Sequence, residues 1–184
     1  IKIHWIDSEG VNAENVAEKL SGCSGIIVPG GFGERGIEGM VETAKYCREN
    51  HIPYLGICLG MQIAVIEFAR NVCMLKNASS GEFDANAENK VIDFLPDQSD
   101  GTDKGGTLRL GAYPCDTAEG SVLRRCYGAE HISERHRHRY EFNNDYREIM
   151  EQNGMTLCGK SPDGHIIEAV ELSGEKFFVG VQFH

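Results

Sequence analysis

Apolar and polar positions along this chain change period several times, and each change predicts an element. Ile1-Lys2-Ile3-His4-Trp5-Ile6 alternates with period two and predicts a strand, after which Asn12 is placed to cap a short helix through Leu20. Gly25-Ile26-Ile27-Val28 is a short apolar run with the content of a buried strand, and Glu38 to Asn50 reads as a helix. A second apolar run, Ile52 to Ile57, precedes a stretch from Leu59 to Arg70 in which Ile63, Ile66 and Phe68 recur at roughly helical spacing. This strand–helix alternation predicts an α/β domain with an open, mostly parallel sheet and helices on both faces. Residues 76–106 are polar and turn-prone, with Gly101, Gly105 and Gly106 grouped near acidic residues, and read as a surface excursion. Further strands are predicted at Thr107–Ala112, Met155–Lys160, His165–Glu171 and Phe177–Phe183, with a helix from Asn144 to Asn153 ended by Gly154. No internal repeat or linker divides the 184 residues, so a single domain is expected.

The turn between the second apolar run and its helix carries the first chemical signal. Gly56-Ile57-Cys58-Leu59-Gly60 is a small-x-nucleophile-x-small sequence between strand and helix, the pattern of a nucleophile elbow with cysteine as the nucleophile. Glycines suit it because the turn is sharp and holds the nucleophile in strained backbone. A thiol at a helix N-terminus is also expected to favour the thiolate.

Composition narrows the classes. A formal charge of −10 argues against a general nucleic-acid binder, whose phosphate contacts need a basic field. No apolar run approaches the roughly 20 residues of a membrane span, and no secretory signal opens the chain. Seven cysteines without a C-x-x-C pair fit reduced thiols in a cytoplasmic protein better than a disulfide framework or a zinc site. Ile1 and His184 read as cut ends of something longer.

A cysteine nucleophile needs a base, adjacent in the fold rather than in sequence. His184 is the best of the seven histidines, since it leaves a strand at its C-terminal end, on the side where Cys58 emerges; the plainer alternative is that the chain simply stops there. Pro29-Gly30-Gly31-Phe32-Gly33 reaches the same edge and could turn successive N–H groups towards one point, as an oxyanion hole, a phosphate loop or a plain glycine turn would. Arg135-His136-Arg137-His138-Arg139-Tyr140 reads as an anion site or a solvated basic face; His136 and His138 share one strand face, but no third metal ligand is placed beside them. Glu82, alone, reads as a surface carboxylate.

Taken together, these segments resemble class I, triad-type glutamine amidotransferases. Val28 to Gly36 resembles that family's oxyanion and lid loop, Gly56 to Gln62 its elbow, and Gly180-Val181-Gln182-Phe183-His184 the start of its histidine-proline-glutamate ending. Glu134 to Asn143 resembles the segment that sets the CTP synthase family apart from other amidotransferases. The resemblance covers almost the whole chain. It implies a flavodoxin-like glutaminase domain, 1–184, that needs no cofactor or metal and whose Cys58 attacks glutamine with His184 as acid and base. It also implies oxyanion donors at Gly31 and Leu59, and glutamine contacts at Gly31, Leu59, Met61, Gln62, Glu82 and Arg139, with Glu82 on the substrate ammonium and Arg139 on its carboxylate. The family's third triad member, a glutamate two residues past the histidine, and its N-terminal ligase domain, which uses ATP and Mg to aminate UTP to CTP, both lie outside this sequence. GTP is the activator the family implies, with the lid Phe32–Gly39 as its expected region. The rivals are a glutaminase from another biosynthetic amidotransferase, an amidase or peptidase on the same elbow, and a non-catalytic nucleotide-binding module.

Overall fold

The computed structural model describes residues 1–94 and 108–184. Strands β1 (Ile26–Val28), β2 (Tyr54–Ile57) and β10 (Phe178–Val181) are short and apolar, and they pair in parallel in the order β1-β2-β10. From β10 the same seven-stranded sheet continues through β9 (Ile167–Leu172), β8 (Met155–Lys160), β5 (Arg109–Thr117) and β6 (His131–His138), each pairing antiparallel with its neighbour. The expected α/β class is therefore present, with parallel pairing concentrated in the half that carries the elbow. The other half closes with an antiparallel ribbon, in which β5 and β6 pair from Arg109↔His138 to Asp116↔His131 and are joined through α4 (Val122–Tyr127).

Helices cover both faces. On one, α2 (Ile37–Glu49) and α3 (Leu59–Asn71) pack over Val28, Tyr54 and Phe178, and every residue of α3 from Leu59 to Ala69 is buried. An all-round apolar helix follows from that position, between sheet and α2. Its one buried acid, Glu67, is matched by Arg48 of α2 in a two-pronged ion pair (Nε–Oε2 3.0 Å, Nη2–Oε1 2.7 Å). On the opposite face Leu123 of α4 joins Cys115, Val179, Val181 and Phe183 in a second, smaller core. The remaining helices are α1 (Val16–Lys19), a single turn with Asn12 Oδ1 accepting the N–H groups of Glu14 and Asn15, and α5 (Arg147–Gln152), entered through a 3-10 turn at Asn144–Tyr146.

Two sequence expectations change. Ile1–Ile6 forms no strand: it lacks a pairing partner among the described residues, and Ile1, Ile3 and Trp5 stay exposed. Alternation specifies two faces but supplies no ladder partner. The expected surface excursion instead contributes β3 (Ala78–Ser80), fully buried, and β4 (Asn89–Asp93), which with β7 (Glu141–Phe142) make a three-stranded sheet. Its small and polar residues bury because backbone pairing satisfies them. Gly101, Gly105 and Gly106 lie outside the described residues. No helix among the described residues is long and apolar enough to cross a membrane.

Candidate active site

Cys58 sits between β2 and α3 with φ 53° and ψ −102°, a conformation that non-glycine residues adopt only when their surroundings impose it. The surroundings are visible. A methyl group at Gly60 would lie 2.1 Å from the carbonyl oxygen of Val28, and one at Gly56 would lie 2.4 Å from the Gly60 carbonyl. Both elbow glycines are thus dictated by close approach of α3 to the strands. The Cys58 N–H donates to Val181 O at 2.7 Å, while its carbonyl accepts from the N–H groups of Met61 (3.1 Å) and Gln62 (3.3 Å). The Tyr54 hydroxyl ties the same turn to β2 through Gly60 O at 2.8 Å.

The sulfur is nearly buried, at 3% exposure for the residue. Burial pushes the thiol up to about 11; the Leu59 N–H and the Gln182 amide pull it down, and the carboxylates of Glu82 and Glu141 raise it further. The sequence expectation of a resting thiolate is therefore corrected, since desolvation outweighs the helix terminus. Acidity does not single out this cysteine either, because burial lifts Cys73 to about 11 and Cys47 to about 12. Position does.

His184 meets Cys58 across Gly30. A methyl at Gly30 would lie 2.7 Å from His184 Cε1 and 3.5 Å from Cys58 Cβ, so the glycine is the spacer between nucleophile and imidazole. The sequence reading passed over Gly30 in favour of its neighbour; its signal was the Pro-Gly-Gly step. Gly31 packs over Leu59, whose Cδ2 would be 3.0 Å from a methyl there. The His184 N–H donates to Arg135 O at 2.8 Å, anchoring the end of the chain to β6. Partial burial lowers the imidazole pKa first, and His138, Arg135 and Arg137 lower it further, so His184 is neutral near pH 7.

Glu82 lies in the turn after β3, and its Oε1 accepts the Gly33 N–H at 3.4 Å, linking it to the glycine loop. Arg139 is exposed at the bend that ends β6. Burial raises the Tyr140 phenol, with Glu82 and Asp93 adding to that and Arg139 opposing it, so acid and guanidinium both lie within electrostatic reach of this ring. Met61 faces the core against Gly180, and Gln62 spends its amide protons on Tyr140 O (3.2 Å) and Gln182 Oε1 (3.3 Å).

The basic run divides by strand parity. Arg135 and Arg137 face solvent, whereas His136 and His138 are buried. Behind them lies an ionic cluster that the sequence reading missed. Arg109 bridges Glu168 (Nη2–Oε1 2.7 Å) and Glu141 (Nη1–Oε1 3.2 Å), and His138 Nε2 lies 2.7 Å from Glu141 Oε1. Glu168, one of two acids in a strand whose other residues are apolar, was the available sign of it. His136 is held neutral, its pKa pushed down to about 3 by burial first and then by Arg109, His138 and His184. Among the described residues no group of three or more His, Cys, Asp or Glu is placed to hold a metal ion.

The sequence profile described as glutamine amidotransferase class-I matches residues 1–184. The chain belongs to that family. This amidotransferase domain is 57% identical over its whole length to the CTP synthase of Halalkalibacterium halodurans and 54% identical to that of Bacillus subtilis. It spans about a third of those curated relatives, 35% and 34% of their lengths. Its structure superposes on the glutaminase domain of Trypanosoma brucei CTPS with bound acivicin at a TM-score of 0.93 and 38% identity, covering all of this chain and 72% of that one. The glutamine amido transferase from Methylobacillus flagellatus shares the fold alone, at a TM-score of 0.56 and 13% identity over 88% of this chain and 51% of the other.

Proposed function

We propose that this domain hydrolyses L-glutamine to glutamate and ammonia through a thioester on Cys58. The observation that carries the reading is the convergence of a strained, buried thiol, the Leu59 N–H and the His184 ring around Gly30. With a thiol at about 11, roughly one molecule in ten thousand is ionised at pH 7, so attack must be coupled to proton removal. Neutral His184 takes the Sγ proton as sulfur bonds to the amide carbon, and the carbonyl π pair moves to oxygen. The N–H groups of Gly31 and Leu59 receive that oxyanion. Collapse of the intermediate breaks the C–N bond, and His184 returns the proton to the leaving nitrogen as ammonia departs. Water, deprotonated by His184, then releases glutamate from the thioester and restores the thiol.

Glu82 and Arg139 hold the substrate's ammonium and carboxylate, respectively, since two opposite charges on the rim of one site suit an α-amino acid. Gln62 and Met61 shape the floor through the backbone and core contacts already described. The third triad carboxylate belongs two residues past His184, outside this sequence. Beyond the domain, the ammonia supplies a partner ligase domain that uses ATP and Mg to aminate UTP to CTP in the cytoplasm; the relatives' shared name supports this, and the glutaminase step itself uses no cofactor. GTP is proposed as activator at the lid, where Phe32 is 66% exposed and Arg137 lies 6.0 Å from its ring centroid.

Cys58→Ala tests the core of the reading. Glutamine hydrolysis is expected to fall by more than about a thousandfold with the circular dichroism and Tm retained. A glutamine-mimicking electrophile, followed by peptide mass spectrometry, is expected to label Cys58 and no other cysteine. Hydrolysis persisting in Cys58→Ala, or labelling of Cys126, the exposed thiol, in its place, would overturn the assignment.

A further inference from the structure

One polar side chain touches the sulfur without a part in the steps above. Gln182 follows β10, is fully buried, and has its backbone N–H fixed on Glu168 O at 2.8 Å. Its Nε2 lies 3.6 Å from Cys58 Sγ. The direction of this amide is set from behind. Only the nitrogen of Gln62 can donate to the Tyr140 carbonyl (3.2 Å), and that same nitrogen offers its second proton to Gln182 Oε1 (3.3 Å). Gln182 is thereby oriented oxygen towards Gln62 and N–H towards the thiol. A relay of three donated bonds runs from the nucleophile to the backbone of the segment that also carries Arg139.

We propose that Gln182 directs and stabilises the Cys58 thiolate as it forms, and that Gln62 is the positioning residue that fixes the direction of its amide. The chemistry follows from what the sulfur faces. Glu82, from the β3 turn, and Glu141, from β7, both oppose a negative sulfur, and His184 faces it as the acceptor of its proton. Among the described residues, the Leu59 N–H and Gln182 are the groups that favour the anion. An N–H donated to a neutral thiol is weak, and the same bond to a thiolate is charge-assisted and about twice as strong. The contribution is therefore concentrated in the acylation transition state, where sulfur carries charge, and falls away in the neutral thioester. This inference deepens the glutaminase reading and rests on it for its catalytic meaning.

The test is the rate at which iodoacetamide alkylates Cys58, followed on the Cys58 peptide by mass spectrometry from pH 6 to 10 in the full-length enzyme, beside steady-state glutamine kinetics. Gln182→Met, similar in volume but without a donor, is expected to slow alkylation about tenfold at each pH, as an upward shift of about one unit in the thiol requires. Its kcat should fall by a similar factor with KM within about twofold. Gln182→Glu should slow alkylation further, since it sets another carboxylate beside the sulfur. Gln62→Met should give an intermediate loss. Wild-type alkylation in Gln182→Met, even with a lowered Tm, would mean a purely structural side chain and would overturn the proposal. If that variant does not fold, Gln62→Met decides: a wild-type alkylation profile there overturns the relay. Because alkylation needs no glutamine, an unmodified enzyme that failed to hydrolyse glutamine would count against the glutaminase reading and leave this measurement standing.

Discussion

The two halves of the seven-stranded sheet are specified in different ways. Around β1, β2 and β10 the backbone itself is the constraint, since Gly56 and Gly60 leave no room for a methyl and hold Cys58 at a positive φ. Around β5, β6 and β9 the constraint is charge, with Arg109 matched against Glu168 and Glu141 and two histidines buried beside them. The first kind of constraint admits one residue type per position. The second requires only that charges be removed or kept together.

Substitutions can break this contrast. Gly60→Ala should have the largest effect, because its methyl meets a β1 carbonyl that cannot move without opening the strand; a loss of more than about 4 kcal/mol in urea denaturation is expected. No second-site change of side chain should repair it. Arg109→Leu should cost about 3 kcal/mol by leaving two buried carboxylates without their cation, while the double variant Arg109→Leu/Glu168→Leu should recover most of that loss. A double variant no better than the single one would mean that the ribbon is also a geometric fit, and the contrast would fail.

Acid should act on the charged half next. His136 has a folded-state pKa of about 3 against an ordinary value of 6.5, so the unfolded chain binds its proton first as pH falls. Stability is then complete above pH 6.5 and declines towards pH 3, by about 2 kcal/mol at pH 5 from this group. His136→Phe, which keeps the edge contacts with Tyr113 and Phe183, should flatten that decline in thermal melts between pH 7 and 4. The smallest effect is expected at the surface, where Arg35 pairs with Glu9 beside the glycine loop. Arg35→Ala should change stability by no more than about 0.5 kcal/mol.

The same contrast governs what the sequence made legible. A backbone constraint leaves glycines at fixed offsets, so Gly56-x-Cys58-x-Gly60 and the Pro29-Gly30-Gly31 step announced elbow and loop directly. Apolar content located β9 and β10, which are buried on both faces, and also β1, β2 and β8, although Ile27 leaves the expected buried strand β1 exposed on one face. Charge constraints are non-local and left little trace. Arg109 and Glu168 stand 59 positions apart, and neither carries a sign of its partner. The split of the basic run into solvent-facing arginines and buried histidines became readable only with the register of β6 on β5. Gln182 was in view throughout as part of an apolar strand, but its approach to the sulfur depends on Gln62, 120 residues away. Ile1–Ile6 failed in the opposite direction, with a clean pattern and, among the described residues, no neighbouring strand to complete it.

The sulfur contributes nothing to the shape of its own turn. The hydrogen bonds that fix Cys58 use its N–H and carbonyl, and the overlaps that enforce its dihedral angles belong to Gly56, Gly60 and Val28. Scaffold and reagent are therefore separable parts. Serine, selenocysteine or another residue with a single-carbon reach can be seated at this position without renegotiating the backbone, which makes the turn an exchangeable holder for nucleophiles of different hardness.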